Sequence, residues 1–227
     1  MIQIDDVYKT YTAGETEVRA LRGVSVEVRK GEFTSIAGPS GSGKTTLLNC
    51  IGCIDSVDSG TIRIDGKTVT GMDKKEAALF RRHKLGFVFQ SYNLIPVLTA
   101  FENVSFALSL LKLSDKEIND RVYALLQDVG LEGMEHRRPA KLSGGQQQRV
   151  AIARALIKEP EIVLADEPTA NLDSTTGEEI LQLMKRLNKK KGTTFLFSTH
   201  DSMVMEFADR LIQLHDGTIT DDTRRQT

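Results

Sequence analysis

Residues Gly38 to Thr46 read GPSGSGKTT and fit the pattern G-x-x-x-x-G-K-[ST]. This stretch restricts the possible folds more than any other in the chain. Composition alone would produce the pattern in about one chain in a hundred of this length. The apolar run at 33–37 precedes it and a helical pattern follows, so the glycines sit on a strand-to-helix turn. Glycines there let backbone N–H groups converge on an anion, and the N-terminus of the next helix adds partial positive charge. Lys44 is placed to reach the outer phosphates of a nucleotide, and Thr45 to offer its hydroxyl to Mg²⁺.

A nucleotide phosphate with Mg²⁺ needs more oxygen ligands and a polarised water, and IVLADEPTANLD supplies candidates for both. Asp166 follows four apolar residues, where a buried strand ends, and can hold the metal through a water. Glu167 is next and can act as general base. Pro168 stops the strand from continuing. Two more apolar runs end in polar groups, LGFVFQ at Gln90 and TFLFSTHD near His200. Each of these alone reads as an ordinary loop amide or a structural histidine. Together, runs 33–37, 86–89, 162–165 and 194–197 deliver polar groups to one edge, where ligands of parallel α/β sheets bind.

The expected fold is therefore α/β of the P-loop type. A mostly parallel core sheet is covered by helices, with an antiparallel β layer and an inserted helical subdomain. IQIDDVYKTY, VRALRGVSVEVRKGE and the Asp65-Gly66 and Asp216-Gly217 hairpin signals are assigned to the antiparallel layer. One domain is predicted: a catalytic core at 1–90 and 158–220, helices at 91–157, and a frayed tail at 221–227. Within the helical part Ser114 and Glu117 form a capping box, an apolar stripe runs from Ile118 to Val129, and Gly130 stops the helix.

LSGGQQQR, Leu142 to Arg149, is less expected. Ser143 can cap a helix, yet Gly144 and Gly145 in its first turn cost about 1 kcal/mol each relative to Ala. The rest of the chain has to say what this helix end is for.

Other features narrow the function by exclusion. Lys and Arg number 30 against 31 Asp and Glu, which argues against nucleic-acid binding through bulk charge. No stretch approaches the ~18 apolar residues of a membrane span, and MIQIDDVYKT lacks the apolar run of a secretion signal. A cytoplasmic location is expected, with any membrane role depending on another protein. The two cysteines, in CIGC, lack a second ligand pair for zinc and read as small buried hydrophobes on the helix after the phosphate loop. Lys189 to Lys191 suit a helix C-terminus.

The phosphate loop, LSGGQQQR, ADEPTANLD and STHD occur in that order and together resemble the nucleotide-binding subunit of ABC transporters. FTSIAGPSGSGKTTLLNCIGCID and GFVFQSYNLIPVLTAFENV look closer still to the lipoprotein-releasing LolD and macrolide-exporting MacB group, with the cell-division subunit FtsE a further relative. The resemblance implies an ATPase in which Gly38, Pro39, Ser40, Gly41, Ser42, Gly43, Lys44, Thr45 and Thr46 cradle ATP and Tyr11 stacks on adenine. It implies that Thr45, Gln90 and Asp166 serve Mg²⁺, and that Glu167, His200 and Lys44 are catalytic. Gln90 would also sense the membrane partner. Ser143, Gly144, Gly145 and Gln146 match the family signature, and Asp173 the loop that crosses a dimer interface. The loop reads ANLD where SALD is commoner, which leaves Asn171 without an assigned role. Two copies would sandwich two ATP molecules and drive integral membrane permease subunits from the cytoplasmic face of the inner membrane, with no nucleic acid involved. A soluble ABC ATPase of DNA repair or translation is the competing class. It fits less well, because no long heptad insert and no second cassette are present.

Overall fold

The computed structural model describes residues 1–14, 16–109, 111 and 113–225. The chain opens with two long antiparallel strands, β1 (Ile2–Ala13) and β2 (Thr16–Val28). β3 (Phe33–Ala37) leaves for a second sheet. β4 (Ser59–Ile64) and β5 (Lys67–Thr68) then complete a four-stranded antiparallel layer in the order β2-β1-β4-β5. The β4–β5 turn carries Asp65 and Gly66 at φ 49° and 75°, the left-handed pair of a type I′ hairpin.

The second sheet has the order β10-β9-β3-β8-β7-β6. β6 (Leu85–Val88), β7 (Ile162–Asp166), β8 (Thr194–Thr199) and β9 (Arg210–His215) lie parallel with β3. β10 (Thr218–Arg224) closes one edge antiparallel to β9. β3 and β8 are buried at every position, as strands covered on both faces must be. Their side chains alternate between two hydrophobic cores. Phe33, Val163, Phe195 and Phe197 face one. Ile36, Ile162, Leu164 and Leu196 face the other, with Ile4, Val24 and Ile62 of the antiparallel layer.

The helices are α1 (Lys44–Ile51), α2 (Lys74–Lys84), α3 (Ala100–Ser105), α4 (Asp115–Asp128), α5 (Gly144–Leu156), α6 (Ser174–Lys191) and α7 (Ser202–Phe207). Four begin with a reciprocal capping box: Asp73/Glu76, Thr99/Glu102, Ser114/Glu117 and Ser143/Gln146. Each cap is worth roughly 1 kcal/mol. α6 ends at Gly192, φ 67°, with Lys189 to Lys191 in its last turn. α3, α4 and α5 lie between β6 and β7. Their Val104, Leu126 and Val150 join Phe33 and Val163 in one cluster, so the helical segment shares its core with the sheet.

Three expectations need correction. The Asp216-Gly217 hairpin joins β9 to β10 in the central sheet rather than in the antiparallel layer, because β9 pairs parallel to β3. Cys50 is buried in α1, but Cys53 lies past the helix end at φ 52° and is half-buried. Residues 221–224 are strand, not frayed tail; Gln226 and Thr227 lie outside the described residues. The reason is Arg210. Its buried guanidinium meets Asp222 at 2.6 Å and Glu32 at 3.0 Å, and Arg224 reaches Glu32 at 3.1 Å.

Hydrogen bonds from Arg210 hold the Asp222 carboxyl below its ordinary value. A depressed carboxyl pKa stabilises the fold above its unfolded value, about 3.9, and that contribution is lost as pH falls through the lower folded value. Asp222→Ala leaves Arg210 with half its partners and is expected to cost roughly 1–2 kcal/mol in urea unfolding. The difference from wild type should shrink as pH falls below 4. Equal stability at pH 7 would show that β10 is held by its backbone ladder alone.

Candidate functional site

The parallel strands end along one edge, and the chain places a loop there after each of β3, β6, β7 and β8. The loop after β3 is the glycine-rich one. Gly43, φ 103°, caps α1 with no side-chain hydrogen bond, leaving the helix N–H groups free for an anion. A Cβ on Gly43 would lie 2.3 Å from the Ala20 carbonyl oxygen, so both the conformation and the approach of β2 require glycine. Lys44 is buried and its Nζ donates to the carbonyls of Gly38 at 2.8 Å and Pro39 at 2.9 Å. Burial lowers its pKa, while the carboxylates of Glu167 and Asp166 pull it upward. Ser42 is buried under the loop, its Oγ without a partner among the described residues.

β7 delivers the acids. Thr45 Oγ1 donates to Asp166 Oδ1 at 3.0 Å, and Ser198 Oγ donates to the same carboxylate oxygen. A hydroxyl and a carboxylate this close form an all-oxygen donor set suited to a hard cation. Glu167 follows at φ 46°, strained for a residue with a side chain. Its N–H donates to Ser198 O at 3.0 Å. One carboxylate oxygen lies 2.6 Å from His200 Nδ1, and the other accepts from Thr199 Oγ1 at 3.2 Å. This follows from the parallel pairing, in which Asp166 stands opposite Ser198. The sequence reading took only His200 from STHD. The two hydroxyls before it were missed, and the strand pairing that reveals them cannot be read from one strand.

Tyr11 comes from the antiparallel layer. Its hydroxyl donates to Asp55 at 2.5 Å, and Lys9 lies 5.1 Å from the ring centre while meeting Asp55 at 3.2 Å. Burial and the bond to Asp55 push the Tyr11 hydroxyl up to about 12. The ring is therefore held by its polar end with a face available. Gln90 follows β6, and its carbonyl accepts from Asn171 Nδ2 at 2.8 Å, which gives Asn171 a place.

Part of this set lines one cleft of about 630 Å³. It brings together Tyr11, Ser40, Gly41, Gly43, Lys44, Thr45, Thr46, Gln90, Glu167 and His200, with Val18 and Ala20 of β2. Gly38, Pro39, Ser42 and Asp166 stand behind its lining, with Asp166 bonded to Thr45, and Ser143, Gly144, Gly145, Gln146 and Asp173 do not line it. Ser143 caps α5 and Asp173 caps α6, accepting from Thr176 N at 3.0 Å. Gly145 is buried against α6, where an added Cβ would come within 2.5 Å of Thr176 Cγ2. Part of the glycine cost in LSGGQQQR is thus repaid by helix packing rather than by a ligand. CIGC is outside the site, and burial pushes the Cys50 thiol up to about 12, which leaves it protonated and unreactive.

A Gly-rich anion loop between a buried parallel strand and a helix, with two acids at the end of the next-but-one strand, defines a P-loop nucleotide-binding domain. The sequence model of the ABC transporter family matches residues 21–170. An ABC transporter ATP-binding protein of Thermotoga maritima is 48% identical over 99% of this chain and 96% of its own. One of Methanocaldococcus jannaschii is 48% identical over 96% of this chain and 95% of its own. The macrolide export ATP-binding/permease protein MacB of Syntrophobacter fumaroxidans is 47% identical over 96% of this chain, which spans only 31% of that relative. Among solved structures, the archaeal cassette seen as a dimer in a post-hydrolysis state bound to ADP and Pi superposes with a TM-score of 0.91, at 46% identity over the whole of both chains. The chain belongs to the ABC transporter family, as an ATP-binding, ATP-hydrolysing cassette.

Gly145→Ala should destabilise the fold by roughly 1–3 kcal/mol through overpacking. Adding Thr176→Ser, which deletes Cγ2 and keeps the hydroxyl bonded to Asp173, should restore most of the loss. Thermal unfolding of the four proteins of the cycle measures this; an unrescued loss would place the clash elsewhere.

Proposed function

We propose that this cassette works as a pair of copies that closes on ATP and drives an integral membrane permease of the LolD/MacB type. The observation that carries the reading is the clamp on Glu167. Its carboxylate is fixed between Thr199 and His200 in the cleft that Lys44 also lines.

The roles follow from the geometry. The loop N–H groups and Lys44 hold the phosphates, and the exposed face of Tyr11 accepts the adenine ring. Mg²⁺ would be held by Thr45 and Gln90, with Asp166 acting through a water, and it neutralises phosphate charge when bound. Glu167 takes a proton from water as that water attacks the γ-phosphorus, and ADP leaves with the bridging oxygen. His200, which lines the cleft, orients Glu167 through Nδ1.

Pairing is supported by what the cleft leaves out. Ser143, Gly144 and Gln146 stand outside it, so a phosphate contact from them is supplied most simply to a second copy. The archaeal relative's dimer is consistent with this. A membrane partner is supported by the relatives named as ATP-binding/permease proteins, of which this chain matches about a third. No helix among the described residues is long and apolar enough to cross a membrane, so the attachment would be through that partner at the cytoplasmic face.

Glu167→Gln is expected to slow hydrolysis by about a hundredfold or more while keeping ATP affinity. With ATP it should elute as a dimer on size exclusion, and a monomer would sink the paired reading. Affinity capture of that ATP-locked variant from detergent-solubilised membranes of the source cells should recover an integral membrane protein. Recovery of none would remove the permease partner.

A further inference from the structure

α5 carries a side chain that the roles above do not use. Gln148 is fully buried, and its Nε2 donates to the Pro168 carbonyl at 2.5 Å. Its Oε1 has no partner among the described residues. A buried amide with one end unpaired is a poor choice for packing alone, since an apolar side chain of equal length would fill the space without an orphaned acceptor. The useful half of the amide is therefore the donor.

What the donor holds is the residue after Glu167. Pro168 is buried, and its carbonyl receives no other hydrogen bond among the described residues. The turn is fixed at each step. Glu167 N donates to Ser198 O at 3.0 Å, and Ala170 N donates back to Glu167 O at 3.2 Å. Leu172 N donates to Thr169 O at 3.0 Å. Gln148 supplies the contact between the first two of these and the third. Glu167 sits at φ 46°, a conformation that persists only where its surroundings over-determine it. Release of the Pro168 carbonyl would free the 168–169 peptide plane and loosen the turn that keeps Glu167 in its strained conformation.

We infer that Gln148 is a positioning residue for hydrolysis: from the helix that starts at Ser143, it locks the backbone that aims the Glu167 carboxylate within the same chain. The inference rests on the reading of Glu167 as general base. It also gives the signature helix a second task. Ser143 and Gln146 at its start stand outside the cleft, and Gln148 in its second turn grips the backbone of the residue after the base.

The test is Gln148→Met, which keeps length and burial and removes the donor. Gln148→Asn, which keeps the amide but cannot reach, is the second variant should Met not fold. ATP affinity of the monomer and KM are expected to stay within about twofold, and kcat to fall by about a hundredfold, the scale of a small misplacement of a catalytic group. The next readout separates positioning from a merely structural role, which would lower hydrolysis alike in both backgrounds. In a Glu167→Gln background, single-turnover hydrolysis should be changed less than about threefold by adding Gln148→Met, because the group being aimed is already disabled. Equal loss in both backgrounds, or wild-type kcat in folded Gln148→Met, overturns the proposal. Full hydrolysis by Glu167→Gln alone overturns the base assignment and the proposal with it. Slow Glu167→Gln beside an unimpaired Gln148→Met overturns the proposal only.

Discussion

The parallel pairing of β7 with β8 is the constraint on which the site depends. With Asp166 opposite Ser198, each strand hands over its polar groups at the same level, and the carboxylates of Asp166 and Glu167 meet hydroxyls from the neighbouring strand. A slip of one residue would turn every side chain of β7 to the other face of the sheet. It would exchange side chains between the two cores and move Asp166 off Ser198. Register is protected by Val163 and Leu164, which belong to different cores and cannot exchange places without loss to both.

Much of this was legible in the sequence, and the reasons are local. A strand buried on both faces announces itself by an unbroken apolar run, so β3, β7 and β8 and the loops after them could be placed. The capping box at Ser114 and the N-cap at Ser143 lie within four residues of sequence and are seen as read, while the return bond from Gln146 that completes a second box was not. What failed was set by partners distant in sequence. β10 reads as a polar tail because its main anchor, Arg210 on Asp222, lies across a hairpin and draws on Glu32 from the other side of the sheet. Gly144 and Gly145 looked alike in sequence. Only packing separates them, since Gly145 is pressed on Thr176 while Gly144 is half-buried near Tyr92 and Leu172.

The departure ANLD for SALD likewise acquires meaning only in three dimensions. Asn171 donates to the Gln90 carbonyl and accepts, through its own carbonyl, from the Tyr92 hydroxyl at 3.4 Å. Arg154 of α5 donates to Tyr92 O at 2.7 Å and to Asn93 O. Tyr92 and Asn93 both have positive φ. The turn after β6 is thus held from outside, by a helix on one side and the loop after β7 on the other. It has little conformational preference of its own to keep that shape.

Among the described residues, the two hydrophobic cores on either face of the central sheet share no side chain. They meet at the ends of the strands, where Tyr11 arrives from one layer and the turn at Gln90 leads into the other. A nucleotide held there would touch both layers. Its binding would then stabilise the cassette as a whole as well as fill a cleft.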